Sequence, residues 1–249
     1  MIYPEDISIV VPSRERAKMC TALITTMLPT ATVLVADNEA EAYLAAGVPA
    51  HRLTTHPNLF GMSRIKNFLV QRCQTNVCVQ ISDDLECIYC MPGTIRHVTD
   101  PQFILDMLHR TAVVAQDAGC AVFGYGDYFR PEYFIPNHPF AFTRAISSMV
   151  GTIGKDVVWD ERILSGGDTD CTLRELLLRR IVWIDTRFAP HWKPMFSTKG
   201  GLQHIRSKQN YEDSMRLMKD KWGECFDMAS HPKRGKKRNV AGNAIKVKR

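Results

Sequence analysis

The sequence predicts an α/β fold with a mixed, mostly parallel sheet flanked by helices, and three observations lead there. Short apolar runs end repeatedly in polar or acidic residues, each run is followed by a stretch with helical spacing of its apolar positions, and this alternation persists from Ile7 to Tyr125. The chain has 249 residues, 45% of them hydrophobic, enough for one large α/β domain or two small ones.

The elements follow in order. Ile7 to Val11 is a continuous apolar run stopped by Pro12, a buried strand, and Ser13-Arg14-Glu15-Arg16 leads from it into a helix reaching about Met27. Thr32 to Ala36 is a second strand, ending at Asp37-Asn38 and feeding a helix from Glu39 to Ala46 that Gly47 stops. A weaker strand lies near His51 to Thr54, and Gly61 to Arg72 has helical spacing. Val77 to Ile81 alternates with a period of two and ends in Ser82-Asp83-Asp84. Asp100-Pro101 starts a helix running to about Gly119, with proline at the first helical position. Ala121 to Tyr125 is the next strand. Ser165 to Asp170 opens an amphipathic helix to Arg180, Ile181 to Asp185 is a last strand leading into Phe188 to Trp192, and a final helix spans about Gln209 to Met228.

Ligands in open α/β sheets bind beyond the carboxyl ends of strands, so the acidic pair Asp83-Asp84 suggests a divalent cation bridging to phosphate oxygens. Turn or capping chemistry is the plainer reading of the same residues, and of Asp168 and Asp170 at a helix start. The two glycines before Asp168 would let the backbone approach a ligand closely.

Composition narrows the class. No apolar run approaches the about 18 residues of a membrane span, and the N-terminus has no basic segment followed by an apolar one, which leads to the expectation of a cytoplasmic protein. Eight scattered cysteines fit buried free thiols in a reducing compartment; Cys73, Cys78, Cys87 and Cys90 as zinc thiolates are the alternative. The chain carries +6, and Pro232 to Arg249 alone holds eight basic residues and no acid, so the body is near neutral. Such a tail suits a polyanion such as DNA, or is simply a solvated end. Between Phe123 and Phe142, eight aromatic residues mix with glycine and proline, a stretch able to stack on bases or sugars or to pack in a core.

In order, a first strand ending in VPSRER, a second ending in VADN, a helix with Gly61, Lys66 and Asn67, the SDD strand end, and Gly166-Gly167-Asp168-Thr169-Asp170 before a helix resemble the GT-A glycosyltransferases over roughly residues 5 to 192. Within that group the chain looks most like the phage-type, TET-associated DNA glycosyltransferases, on the VPSR opening, its size and the basic tail.

The resemblance implies a single GT-A domain over residues 1–206, with a nucleotide-sugar half to about residue 92 and an acceptor half beyond it, then a helix and a flexible tail. Pro12, Ser13, Arg14 and Arg16 would lie by the nucleoside of a nucleotide-sugar, with Asp37 near its base and Gly61, Lys66 and Asn67 at the nucleotide. Asp84 matches the metal-binding member of the family's acidic motif. Ser82 occupies the first acidic position, so either Asp83 remakes the ribose contact or the motif shifts to Asp84-Leu85-Glu86. His191, or else His204, would complete the site for Mn²⁺ or Mg²⁺. Asp168 matches the general base of an inverting displacement, with Asp170 orienting or substituting for it; a retaining reaction would need another assignment. The implied reaction moves a hexose, from UDP by family lean, onto 5-hydroxymethylcytosine in DNA inside a phage-infected host. A glycan, lipid or protein acceptor, a nucleotidyltransferase, and a noncatalytic DNA-binding protein are the other readings.

Overall fold

The computed structural model describes residues 2–92, 95–126, 134–193, 200–201 and 207–226. His204, residues 127–133 of the aromatic stretch and the basic tail lie outside these residues.

The main sheet has eight strands. In chain order they are β1 (Ile7–Pro12), β2 (Thr32–Ala36), β3 (Leu53–His56), β4 (Val77–Ile81), β7 (Val122–Tyr125), β8 (Phe140–Ala141), β9 (Met149–Ile153) and β10 (Trp183–Asp185). Their spatial order is β3-β2-β1-β4-β9-β7-β10-β8. Strands β3, β2, β1 and β4 run parallel, β10 is parallel to β7, and β9 and β8 run antiparallel to their neighbours. A second sheet of three strands orders β11 (Phe188–Trp192), β5 (Leu85–Cys90) and β6 (Arg96–Val98). The helices are α1 (Ala17–Thr26), α2 (Ala40–Ala45), α3 (Met62–Arg72), α4 (Pro101–Asp117), α5 (Gly167–Arg179) and α6 (Lys208–Trp222).

Both faces of the sheet are covered, as parallel strands require. One face presents Ile9, Val11, Val33, Val35, Val79 and Ile81 to a core that includes Cys20, Ile24, Ile104 and Leu108 of α1 and α4. Val10, Leu34 and Cys78 face the other way, onto Leu69 of α3. Further along that face, Val122, Val150 and Ile184 meet Cys171 and Leu176 of α5. Each such aliphatic side chain contributes about 1.5–3 kcal/mol when fully buried. Helix α4 is set by its own ends: Asp100 accepts a hydrogen bond from the Phe103 N–H at 2.7 Å and Pro101 opens the first turn.

The predicted elements are present, with shifts of a few residues at their ends; the final helix stops at Trp222, where Gly223 takes a positive φ of 53°. Strands β5, β6, β8, β9 and β11 were not anticipated. In β9 the reason is visible: a Cβ on Gly151 would stand 2.0 Å from the Phe123 ring, so close packing requires the residue that weakens the strand signal. Cys87 and Cys90 sit three apart on β5 and so point to opposite faces, and all eight cysteines are free thiols.

Candidate active site

The parallel neighbours β2, β1 and β4 end on one edge, which brings Asp37, Pro12-Ser13-Arg14 and Ser82-Asp83-Asp84 together. A connected set of hydrogen bonds organises this edge. The Arg16 backbone N–H donates to the Tyr43 hydroxyl at 3.2 Å, Tyr43 and Ser13 share a bond of 2.7 Å, and Ser13 Oγ donates to Asp83 Oδ2 at 2.5 Å. Arg16 Nη1 holds the other Asp83 oxygen at 2.9 Å and reaches Asp84 Oδ2 at 3.5 Å. Asp83 is buried; burial raises its pKa while Ser13 and Arg16 pull it back. The turn thus divides its labour: Asp83 is taken up by the protein, and Asp84 keeps 23% of its side chain exposed. Arg14 is half-exposed, 3.8 Å from Glu39 and from Glu15.

The second sheet meets this turn directly. Lys193 N–H donates to the Asp84 carbonyl at 3.0 Å, and His191 lies opposite Cys87 in register. His191 Nε2 is 3.5 Å from Glu86 Oε2 and its ring stacks at 4.8 Å on Tyr89. Among the described residues no three His, Cys, Asp or Glu side chains form a preformed metal cage. A single accessible carboxylate, Asp84, nevertheless fits an ion of the Mg²⁺ type, which is commonly held by one or two carboxylates plus substrate phosphates.

Behind this edge lies a cavity of about 250 Å³ between β4, α3 and the start of α5. Pro12, Lys66, Gln80, Ser82, Trp159 and Asp168 are among the residues lining it. Asp168 is in the first turn of α5, where free backbone N–H groups favour a carboxylate. Gly166 before it adopts φ 85°, and a Cβ on Gly167 would stand 2.8 Å from Ser63 Oγ, so the glycine pair is what lets α5 start against α3. The buried Lys66 ammonium pairs with Asp168 Oδ1 and lies 5.3 Å from the Trp159 ring centre.

Two of the expected site residues are engaged elsewhere. Asn67 accepts from the Trp159 N–H at 2.8 Å and donates to the Trp159 carbonyl at 2.9 Å and to Glu161 at 3.0 Å, so its amide fixes the Trp159 segment rather than facing a nucleotide. Asp170 is fully buried, bound by Trp222 Nε1 at 2.7 Å and Lys221 Nζ at 2.8 Å. Both of its oxygens are thus held by α6. Gly61 adopts φ 95°, and a Cβ there would stand 3.0 Å from Leu164 Cδ2.

Sequence reasoning missed Tyr43, Gln80 and Trp159. Gln80 gave a signal, a lone amide in an apolar strand, but that α3 covers the face it occupies is visible only in the fold.

No family model matches the sequence, and no curated protein matches it. The backbone defines a class: it has the GT-A-like α/β architecture. Residues 1–349 of TarS from S. aureus superpose with a TM-score of 0.50 at 11% identity, over 85% of this chain and 64% of that one. Glucosyl-3-phosphoglycerate synthase from Mycobacterium tuberculosis, in complex with Mn²⁺, UDP and glucosyl-3-phosphoglycerate, matches with a TM-score of 0.50 at 13% identity, covering 85% of this chain and 78% of that one. The chain therefore spans a little under two thirds of the TarS structure it resembles. Among the described residues no helix is long and apolar enough to cross a membrane.

Proposed function

We propose that the chain is a metal-dependent glycosyltransferase using a nucleotide-sugar donor. The observation that carries the reading is the cavity itself, lined by Ser82, the residue before the acidic pair, and by Asp168. The nucleotide lies along the ends of β1 and β2, by Pro12, Ser13, Arg14 and Asp37. Asp84 would hold the divalent cation, with Glu86 and His191 on the adjoining sheet as further candidate ligands, and the cation when bound would stabilise charge on the departing diphosphate. Asp168 accepts the proton of the acceptor hydroxyl as that oxygen bonds to the anomeric carbon and the diphosphate leaves with the electron pair of the broken bond, a single inverting displacement. Lys66 positions Asp168.

For the acceptor we infer 5-hydroxymethylcytosine in DNA. The VPSR opening, the chain's size and the eight basic residues of the tail support this. The test is incubation with Mn²⁺ and UDP-hexoses, following UDP release and the nucleoside masses of 5-hydroxymethylcytosine DNA. A hexose increment lost in Asp84→Ala supports both parts. UDP release without an increment keeps the transferase and moves the acceptor to a glycan, lipid or protein; no nucleotide binding refutes the reading.

A further inference from the structure

Gln80 is 2% exposed, and neither its amide oxygen nor its amide nitrogen has a hydrogen-bond partner. Its cross-strand neighbours are Val10 on β1 and Val150 on β9, which have no side-chain polar atoms to offer. The Trp159 indole N–H is likewise buried and unpartnered. Both residues line the same cavity, beside the Lys66–Asp168 pair. Buried polar groups in native structures are nearly always satisfied, so two orphans in one cavity mark a place where the bound molecule supplies the bonds. Trp159 is not there by accident of packing: Asn67 clamps its backbone at both N–H and C=O.

The chemistry of the pair restricts the ligand. Gln80 offers a donor and an acceptor side by side, and Trp159 adds one donor. A group matching the amide must both give and take, as adjacent hydroxyls on a sugar ring do. The cavity, at about 250 Å³, is below the roughly 300–1,000 Å³ of sites that hold whole drug-sized ligands, so it takes one ring and not a nucleotide. Charge is already balanced by Lys66 and Asp168, which favours a neutral ring.

We propose that Gln80 and Trp159 are the specificity-determining residues of the site, their amide and indole N–H reading adjacent hydroxyls of the transferred sugar. That the sugar is the one transferred rests on the proposed transferase activity; that a sugar binds here rests on the cavity alone. The orphaned groups cost stability for as long as they are unsatisfied, until the ring arrives.

Saturation-transfer NMR on the full chain tests it, with the methyl glycosides of glucose, galactose and mannose as probes, UDP as a nucleotide control, and Gln80→Leu and Trp159→Phe as variants. At least one glycoside is expected to bind the unmodified protein, and its signal to fall at least about threefold in both variants while UDP is unaffected; a pocket built to hydrogen-bond a hydroxyl discriminates far more strongly than one that only packs against it. Gln80→Leu is also expected to unfold at a temperature equal to or above that of the parent, which a merely structural glutamine would not do. Glycoside binding unchanged in the variants, or absent from the parent, overturns the proposal. So does a UDP signal that falls in step, or capture of 5-hydroxymethylcytidine in place of any glycoside, because either gives the amide to a base. Glycoside binding that depends on Gln80 with no UDP binding keeps this inference and removes the nucleotide-sugar reading.

Discussion

Lys66 and Asp168 are 102 positions apart in the chain and form an ion pair that ties α3 to the first turn of α5. Lys66 is buried and Asp168 is 37% exposed, so the pair holds the carboxylate at a fixed place with one side open. Asp168→Asn keeps the shape and removes the proton acceptor. Its turnover with a competent donor and acceptor is expected to fall by about 10²–10⁴. UDP affinity, measured by calorimetry, is expected to be unchanged; an equal loss of both would mean that Asp168 binds the nucleotide instead.

Adjacent aspartates should respond oppositely to replacement. Asp83→Ala removes the carboxylate that Arg16 Nη1 holds at 2.9 Å and Ser13 Oγ at 2.5 Å, and is expected to lower the unfolding free energy by about 1–3 kcal/mol. Asp84→Ala is expected to change stability by less than about 1 kcal/mol and to raise the Mn²⁺ concentration for half-maximal turnover by more than about tenfold. Urea unfolding and Mn²⁺ titration of the two variants separate the effects.

Trp222→Phe removes the donor that Asp170 receives at 2.7 Å, in a position where water does not replace it. A loss of about 1–3 kcal/mol is expected, read as a lower urea midpoint. Turnover below the new melting point should match the parent, because the bond belongs to α6 and not to the chemistry.

His56 predicts a pH dependence. Burial depresses its pKa below the usual 6.5, with Asp37 opposing and Arg14 assisting, and its Nδ1 accepts the Leu59 N–H at 3.1 Å. The unfolded chain therefore binds more protons than the folded one as pH falls through 6.5, so the stability contributed by neutral His56 is present above that pH and lost below it. Asp83 and Glu175, whose pKa values burial raises, act in the reverse sense at lower pH, where protonation favours the folded form. His56→Gln is expected to flatten the fall in melting temperature between about pH 7 and 5; an unchanged slope would assign it to other groups.

How far the sequence could be read depended on whether a signal was local. The run Val77 to Ile81 and its acidic end state their strand and their edge in consecutive residues, and the structure places them there. Strand β9 was hidden because Gly151 answers to Phe123, a residue on another strand. Asn67 and Asp170 look like site residues by spacing, yet their partners are Trp159 and Trp222, 92 and 52 positions away, and nothing nearby in the chain announces them. Gln80 shows the limit most plainly: its polarity was visible, but whether water or helix α3 lay over it was a property of the assembled layers.

Three side chains on one side of α3 reach the segment that walls the cavity. Ser63 donates to the Ile163 carbonyl at 3.1 Å, Lys66 pairs with Asp168, and Asn67 clamps Trp159. From the other direction Ser214 of α6 accepts the N–H groups of Leu164 and Ser165 at 3.2 and 3.1 Å. The stretch from Trp159 to Asp168 is thus a cassette bolted at its two ends and its middle. Side chains at its free positions can be exchanged to retune what enters the cavity while the bolts keep the carboxylate in place, which makes this short segment the natural starting point for redesigning the protein's selectivity.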